Sequence, residues 1–416
     1  MLSRADILAN PGLLKLDLMK NGLVLSSEAA AAVERLGYRV EGQGPFGGAH
    51  DLDVVLPAET WVSVPLATAD QSPYTLVPDG ERFALRAKGV DQATSVRLSP
   101  RSEVFDHVTS TGAKFGTFGT VHNSYLALSP TSRCTFLGTS AQCTFCGVHA
   151  LASARLELPV DDVLEAIRVA RRTHPVTMVY LSVGHLGGDD GGVAYLEPYV
   201  KAIKKHFDIL VAIDSLPPAE NRWIDHTYAM GVDAVSYNLE IFDPELFKRV
   251  CPGPAQAVGR ERFLEALSYA TSVFPSGGVT THLIVGLEPL ASTQDGITTL
   301  TELGVLPVLP MYRPFKGRDM RSALDIEAPK PSLEKLAELY GHLHNEVRRA
   351  GLSLNLVRDI SIVTTPLDAR FFAGQSGGLS QLMHRLLRTR VARKTSTYLS
   401  DLRRSLRVRE ISADRG

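Results

Sequence analysis

Cysteine is scarce in this chain, with four in 416 residues. That density excludes a disulfide-stapled scaffold, and a chain of this length with 44% apolar residues can bury a large core without one. Charge of one sign is missing too: the formal net charge is −1, so no whole-molecule field draws nucleic acid or an anionic membrane to it. No run of 18 apolar residues occurs, and the opening MLSRADILANPGLLKLDLMKNG lacks a charged region followed by an apolar stretch and a small-residue cleavage site. Internal repeats and low-complexity tracts are also absent. The expectation is a soluble, cytoplasmic globular protein with one large barrel or about two to three domains.

What is present is concentrated. Three of the four cysteines, Cys134, Cys143 and Cys146, fall in the single stretch CTFLGTSAQCTFC. In a reducing compartment, clustered thiols point to metal ligation or redox chemistry.

Around this stretch the sequence has a βαβα rhythm, which implies a parallel sheet covered by helices. Strands are expected at 120–130, 176–184, 208–214, 232–240, 278–286 and 304–312. Helices are expected at about 160–172, 195–206, 219–230, 258–273 and 291–303. Six strands with intervening helices make either a partial (β/α)6 barrel or a doubly wound sheet. Both place active groups at the C-terminal strand ends, where this chain carries the cysteine loop, GHLGGDDGG, Glu240, GLEP and YRPFKG. Residues 1–112 lack the rhythm and read as an accessory α/β domain, 113–330 as the barrel, and 331–416 as an amphipathic helix, a strand (LSLNLVRDISIVTT) and a basic helical tail. The tail's leucines suit docking on the barrel, and its arginines would otherwise suit an anionic partner.

Three chemistries suit the cysteine loop. A dithiol needs only Cys143 and Cys146. A structural zinc site would add His149 as fourth ligand. A [4Fe–4S] cluster on three thiolates would leave one iron open, with Phe145 shielding its edge. Cys251, in RVCPGP, reads as a buried lone thiol rather than a ligand.

With these motifs the chain resembles the radical S-adenosylmethionine (radical SAM) superfamily, in which three cysteines follow the first strand of a (β/α)6 barrel. Eight residues separate Cys134 from Cys143 where three are usual, while the C-x-aromatic-C half is intact. Gly187, Gly188, Asp189 and Asp190 resemble the Gly-Gly-Glu element that takes the SAM amino group, with Asp in place of Glu. The stretch from NLEIFDPELF to GRERF looks like the biotin-synthase-like branch. There Glu240 would accept from the ribose hydroxyls and Arg260 would pair with the SAM carboxylate, with Arg262 as the neighbouring alternative. HLIVGLEP resembles the adenine-binding strand, with Ile284 and Val285 as an apolar shelf and Gly286 allowing close backbone approach. The chain is also similar to the radical SAM proteins of bacterial nitrilase gene neighbourhoods.

The resemblance implies an enzyme that binds a [4Fe–4S] cluster and SAM and abstracts hydrogen from a small-molecule substrate through a 5′-deoxyadenosyl radical. Electrons would come from a reductase, flavodoxin or ferredoxin. No further cysteine cluster accompanies the triad, which argues against sulfur insertion from an auxiliary cluster, and no D-x-H-x-x-G cobalamin signature occurs. His185, Tyr312 and Arg313 are substrate candidates at strand ends, Arg313 as a clamp for a carboxylate or phosphate. Outside this family, the residues also allow a zinc-dependent α/β hydrolase using Cys134, Cys143, Cys146 and His149, or a non-catalytic binding protein with a structural metal and the basic tail.

Overall fold

A computed structural model of the chain describes residues 2–38, 51–146, 157–312, 331–357, 363–372 and 404. The sequence first builds a mixed six-stranded sheet. Helices α1 (Arg4–Ala9), α2 (Pro11–Asn21) and α3 (Ser27–Arg35) pack with strands β1 (Val24–Leu25), β2 (Leu52–Leu56), β3 (Thr60–Val64), β4 (Tyr74–Asp79), β5 (Arg82–Ala87) and β6 (Ala93–Leu98). Their spatial order is β1-β4-β5-β6-β2-β3, parallel only between β1 and β4.

The second sheet has seven strands: β7 (Gly119–His122), β8 (Tyr125–Leu128), β9 (Met178–Ser182), β10 (Leu210–Asp214), β11 (Ala234–Ser236), β12 (Val279–His282) and β13 (Leu306–Val308). They lie side by side in chain order, and β8 to β13 are all parallel. That order decides between the two expected architectures. A doubly wound sheet reverses direction part-way, whereas strands added always on the same side, through right-handed crossovers, keep every helix on one face. The sheet is therefore singly wound, and among the described residues β7 and β13 do not pair, which leaves the curl open as in a partial barrel. The covering helices are α4 (Val160–Thr173), α5 (Val193–His206), α6 (Arg222–Ala229), α7 (Pro244–Val250), α8 (Pro252–Ala257), α9 (Arg260–Val273) and α10 (Leu290–Glu302).

The inner face is graded by the period-2 alternation of the strands. Met178, Leu210, Ala212 and Ala234 form an apolar floor with Tyr180 and Leu356, separate from the main core between sheet and helices. Two residues further along the strands the inward positions turn polar: Ser182, Asp214 and Asn238.

Several expectations need revision. The strand expected at 120–130 is an antiparallel hairpin of β7 and β8, turned at Asn123 with φ +53°, a conformation Asn tolerates. Helices α7 and α8 were not foreseen, although Asp243 caps α7 and Pro244 and Pro252 open the two helices. Beyond α11 (Leu333–Arg349), the expected strand at 352–365 is not formed among the described residues; Thr364 makes one isolated antiparallel bridge to Leu309. Of the basic tail only Arg404 is described. It pairs with Asp233 at 2.7 Å and donates to the Tyr228 carbonyl, at the N-terminal end of β11 and so opposite the polar rim. Among the described residues no helix is long and apolar enough to cross a membrane.

The N- and C-terminal regions meet through a buried ion pair. Lys15 on α2, 1% exposed, donates to Asp368 at 2.7 Å. Removing the anion strands a buried ammonium, so Asp368→Ala is expected to cost about 3–5 kcal/mol of stability, measured by urea unfolding. A loss below about 1 kcal/mol would show the pair to be dispensable.

Candidate active site

A cavity of about 330 Å³ opens at the C-terminal edge of the parallel strands. Cys134, Cys143 and Cys146 all line it, each partly exposed and outside any disulfide. Their loop has no regular secondary structure, so packing sets where the sulfurs point. The Thr135 amide donates to the His185 carbonyl at 2.8 Å, and the Thr144 amide to the Val250 carbonyl at 2.9 Å. Two glycines make the close approach possible. A Cβ on Gly184, just beyond β9, would lie 2.5 Å from the Cys134 Cβ; one on Gly253 in α8 would lie 2.5 Å from the Ala141 carbonyl oxygen. No bulkier residue fits either position without moving the loop.

Aromatic groups line the same space. Phe145 stands on the wall, and Phe136 stacks on His185 at 4.6 Å with the rings nearly parallel. His185 also shares a 2.6 Å hydrogen bond with the Thr135 hydroxyl, and burial lowers its pKa.

The far wall is acidic. Asp214, at the end of β10, accepts from Ser182 at 3.1 Å and from Asn238 at 2.8 Å, and burial pushes it up to about 7. Glu240 lines the cavity in a left-handed conformation, φ +67°, held by backbone bonds to His282 and Ile284. Burial first, then the Asp214 and Cys143 charges, raise its pKa well above the usual carboxylate range. Arg133, the cation on the lining, is engaged with Glu157 at 2.6 Å.

Cys251 is buried as expected but not alone. It is 1% exposed and lines the same cavity. Interaction between the two side chains lowers the Cys143 pKa and, together with burial, raises that of Cys251.

The remaining candidates are spread around this centre. Gly187, Gly188 and Asp189 are exposed on the loop after β9, outside the cavity lining. The Asp190 carboxylate is committed to the start of α5, accepting from Gly192 and Ala194 amides at 3.1 and 2.8 Å. Arg260 opens α9, with Nε bonded to the Phe242 carbonyl at 3.0 Å and its guanidinium over the Phe242 ring. Its terminal nitrogens have no hydrogen-bond partner among the described residues. Arg262 is fully engaged with Pro218, Asn221 and Glu265. Ile284 and Val285 are buried, Gly286 has φ +101°, and Tyr312 bonds back to Val285 through its amide at 2.9 Å. Arg313 and His149 lie outside the described residues.

Residues 128–290 match the model of the Radical SAM superfamily. Over that stretch the chain is similar to the radical SAM proteins. The bacteriochlorophyllide c C-7(1)-hydroxylase of Chlorobaculum limnaeum is 28% identical over 141 residues, 32% of this chain and 34% of that protein, so the chain spans about a third of the curated relative it matches. Among solved structures, methylornithine synthase is similar over 58% of this chain and 66% of its own, at 15% identity and TM-score 0.41. A radical SAM methyltransferase from Sphaerobacter thermophilus is similar over 70% and 76%, at 15% identity and TM-score 0.39.

Three thiols on the lining of one cavity are a donor set that could take a [4Fe–4S] cluster, while His149, the fourth ligand a zinc site would need, lies outside the described residues. A four-iron cube takes each thiolate on a different iron, so its sulfurs surround a cage.

Two site groups escaped sequence reading. Asp214 ends a strand, a position that marks active groups in such sheets, but an isolated Asp carries no motif. Glu288, quoted within GLEP without a role, is 1% exposed and accepts from the Phe242 and Asp243 amides at 3.0 and 2.9 Å, fixing the turn after Glu240.

The Asp214 shift sets a pH dependence. Between about pH 4 and 7 the folded state keeps a proton that the unfolded chain has lost, so this group's contribution falls as pH rises through that window. Relative to the native chain, Asp214→Asn should therefore gain stability from about pH 4 to about pH 8, on the order of 2–4 kcal/mol in urea titrations. A pH-independent difference would contradict the assignment.

Proposed function

We propose that the chain is a radical SAM enzyme that reductively cleaves S-adenosylmethionine and abstracts a hydrogen atom from a small-molecule substrate. The observation that carries this reading is the placement of three cysteine side chains, with Glu240, on the lining of one cavity at the C-terminal edge of a parallel sheet. When bound, a reduced [4Fe–4S] cluster supplies the electron that breaks the sulfur–C5′ bond of SAM, giving methionine and a 5′-deoxyadenosyl radical.

The chain's own residues divide the remaining work. Cys134, Cys143 and Cys146 hold the cluster, and Phe145 and Phe136 keep water from its edge. Glu240 accepts from the ribose hydroxyls; its raised pKa reflects a buried carboxyl that a cationic ligand would ease. Arg260 offers its terminal nitrogens, which have no hydrogen-bond partner among the described residues, to the SAM carboxylate, a bidentate match that Arg262 is too engaged to make. With Asp190 occupied in capping α5, the SAM amino group falls to Asp189 or to backbone carbonyls of the Gly187–Gly188 turn. Ile284 and Gly286 form the adenine shelf. His185, Tyr312 and Arg313 serve the substrate, and a flavodoxin, ferredoxin or reductase supplies the electron.

Anaerobic purification tests the reading. The expected product is a brown protein with about four irons per chain that forms 5′-deoxyadenosine from SAM and dithionite. Cys143→Ala should abolish the colour, and His149→Ala should leave it. Stoichiometric zinc without colour, lost on His149→Ala, would overturn the proposal.

A further inference from the structure

We infer that Asp214 sets the substrate specificity of this site, and that the substrate is a small amine whose protonated nitrogen it receives inside the cavity. The inference rests on the reading of the cavity as the place where cluster and SAM meet, and it adds the chemical class of the third component.

Asp214 ends β10 and lines the cavity, two residues beyond Ala212 of the apolar floor. Its carboxylate is held rather than free to turn. The Ser182 hydroxyl donates to one oxygen at 3.1 Å, and the Asn238 side-chain nitrogen donates to the other at 2.8 Å. Asn238 is itself fixed, because its side-chain oxygen accepts from the Ser236 hydroxyl at 2.6 Å and from the His282 amide at 3.0 Å. With that oxygen taken by two donors, the NH2 end is the one that faces Asp214. Ser182, Ser236 and His282 end β9, β11 and β12, so three neighbouring strands brace one acceptor on the cavity wall.

What this network leaves unmet is charge. A carboxylate offers about four lone-pair directions, and the two hydrogen bonds to Asp214 both come from neutral donors. The lining carries one guanidinium, Arg133, which is paired with Glu157 at 2.6 Å, and burial disfavours the charged form of His185. A buried carboxylate among neutral partners is costly, in keeping with the burial that lifts this group to about 7. A cation bound beside it offsets that cost; a neutral hydroxyl leaves the charge as it was, and a second anion adds to it. Glu240 and Arg260 serve SAM in the proposed function, which leaves Asp214 for the substrate. On the same lining Val183 and Leu216 give apolar surface for the carbon part of the amine.

The test uses the full chain, loaded anaerobically with iron and sulfide, with and without saturating SAM. Three probes of similar length, butylammonium, butan-1-ol and butyrate, are titrated and their binding is followed by ligand-detected NMR. In the presence of SAM the native protein should take butylammonium about tenfold more tightly than butan-1-ol, and butyrate most weakly. The isosteric Asp214→Asn, expected to be the more stable chain, should bring butylammonium down to the level of butan-1-ol and leave butan-1-ol unchanged. The native order of the three probes is a test that needs no variant. Equal binding of butylammonium and butan-1-ol by the native protein would overturn the inference, as would a preference that survives Asp214→Asn. A preference seen only without SAM would make Asp214 a SAM contact and overturn it too. Failure of the native protein to take up a cluster would instead overturn the proposed function.

Discussion

Everything in the site depends on the close packing of one irregular loop between two small residues. The CTFLGTSAQCTFC segment has no helix or strand to orient it. Its thiols share a cavity because Gly184 lets Cys134 approach the end of β9 and Gly253 lets the loop lie on the α7–α8 turn. The amide bonds from Thr135, Thr144 and Gly253 lock that seat. A long spacing between the first two cysteines is tolerated because the loop is braced from both sides along its length.

The second constraint is electrostatic. Asp214 and Glu240 stand on the wall facing the thiols, both with pKa values raised mainly by burial. Buried charges without partners are costly, and among the described residues the hydrogen-bond partners of Asp214 are Ser182 and Asn238 rather than a cation. The turn carrying Glu240 is strained, with a non-glycine residue at positive φ, and the buried Glu288 carboxylate holds the following amides in place. A cavity of this kind suits a ligand bearing positive charge, in line with the sulfonium and ammonium groups of the proposed SAM co-substrate.

Much of the scaffold was legible because buried strands and amphipathic helices leave periodic traces. The six parallel strands fall within the runs expected from β-branched residues, and α4, α5, α9 and α10 match the helical spacing closely. The misreadings have local causes. One apolar run concealed the β7–β8 hairpin because Asn123 and Ser124 punctuate it weakly. The Gly-Gly-Asp-Asp stretch gave no sign that Asp190 would be consumed as a helix cap.

By itself, the sequence determined the alternation of strands and helices, the gathering of three cysteines into one loop and the placing of polar residues at strand ends. These follow from the period of apolar residues and from local spacing, which need no knowledge of the rest of the chain. Only the tertiary structure decided that the sheet winds one way, that Arg260 rather than Arg262 keeps nitrogens without a hydrogen-bond partner among the described residues, and that Cys251 lines the same cavity as Cys143 across 107 intervening positions. Such pairings arise from long-range packing, and a residue's place in the chain carries no record of which distant surface it will meet.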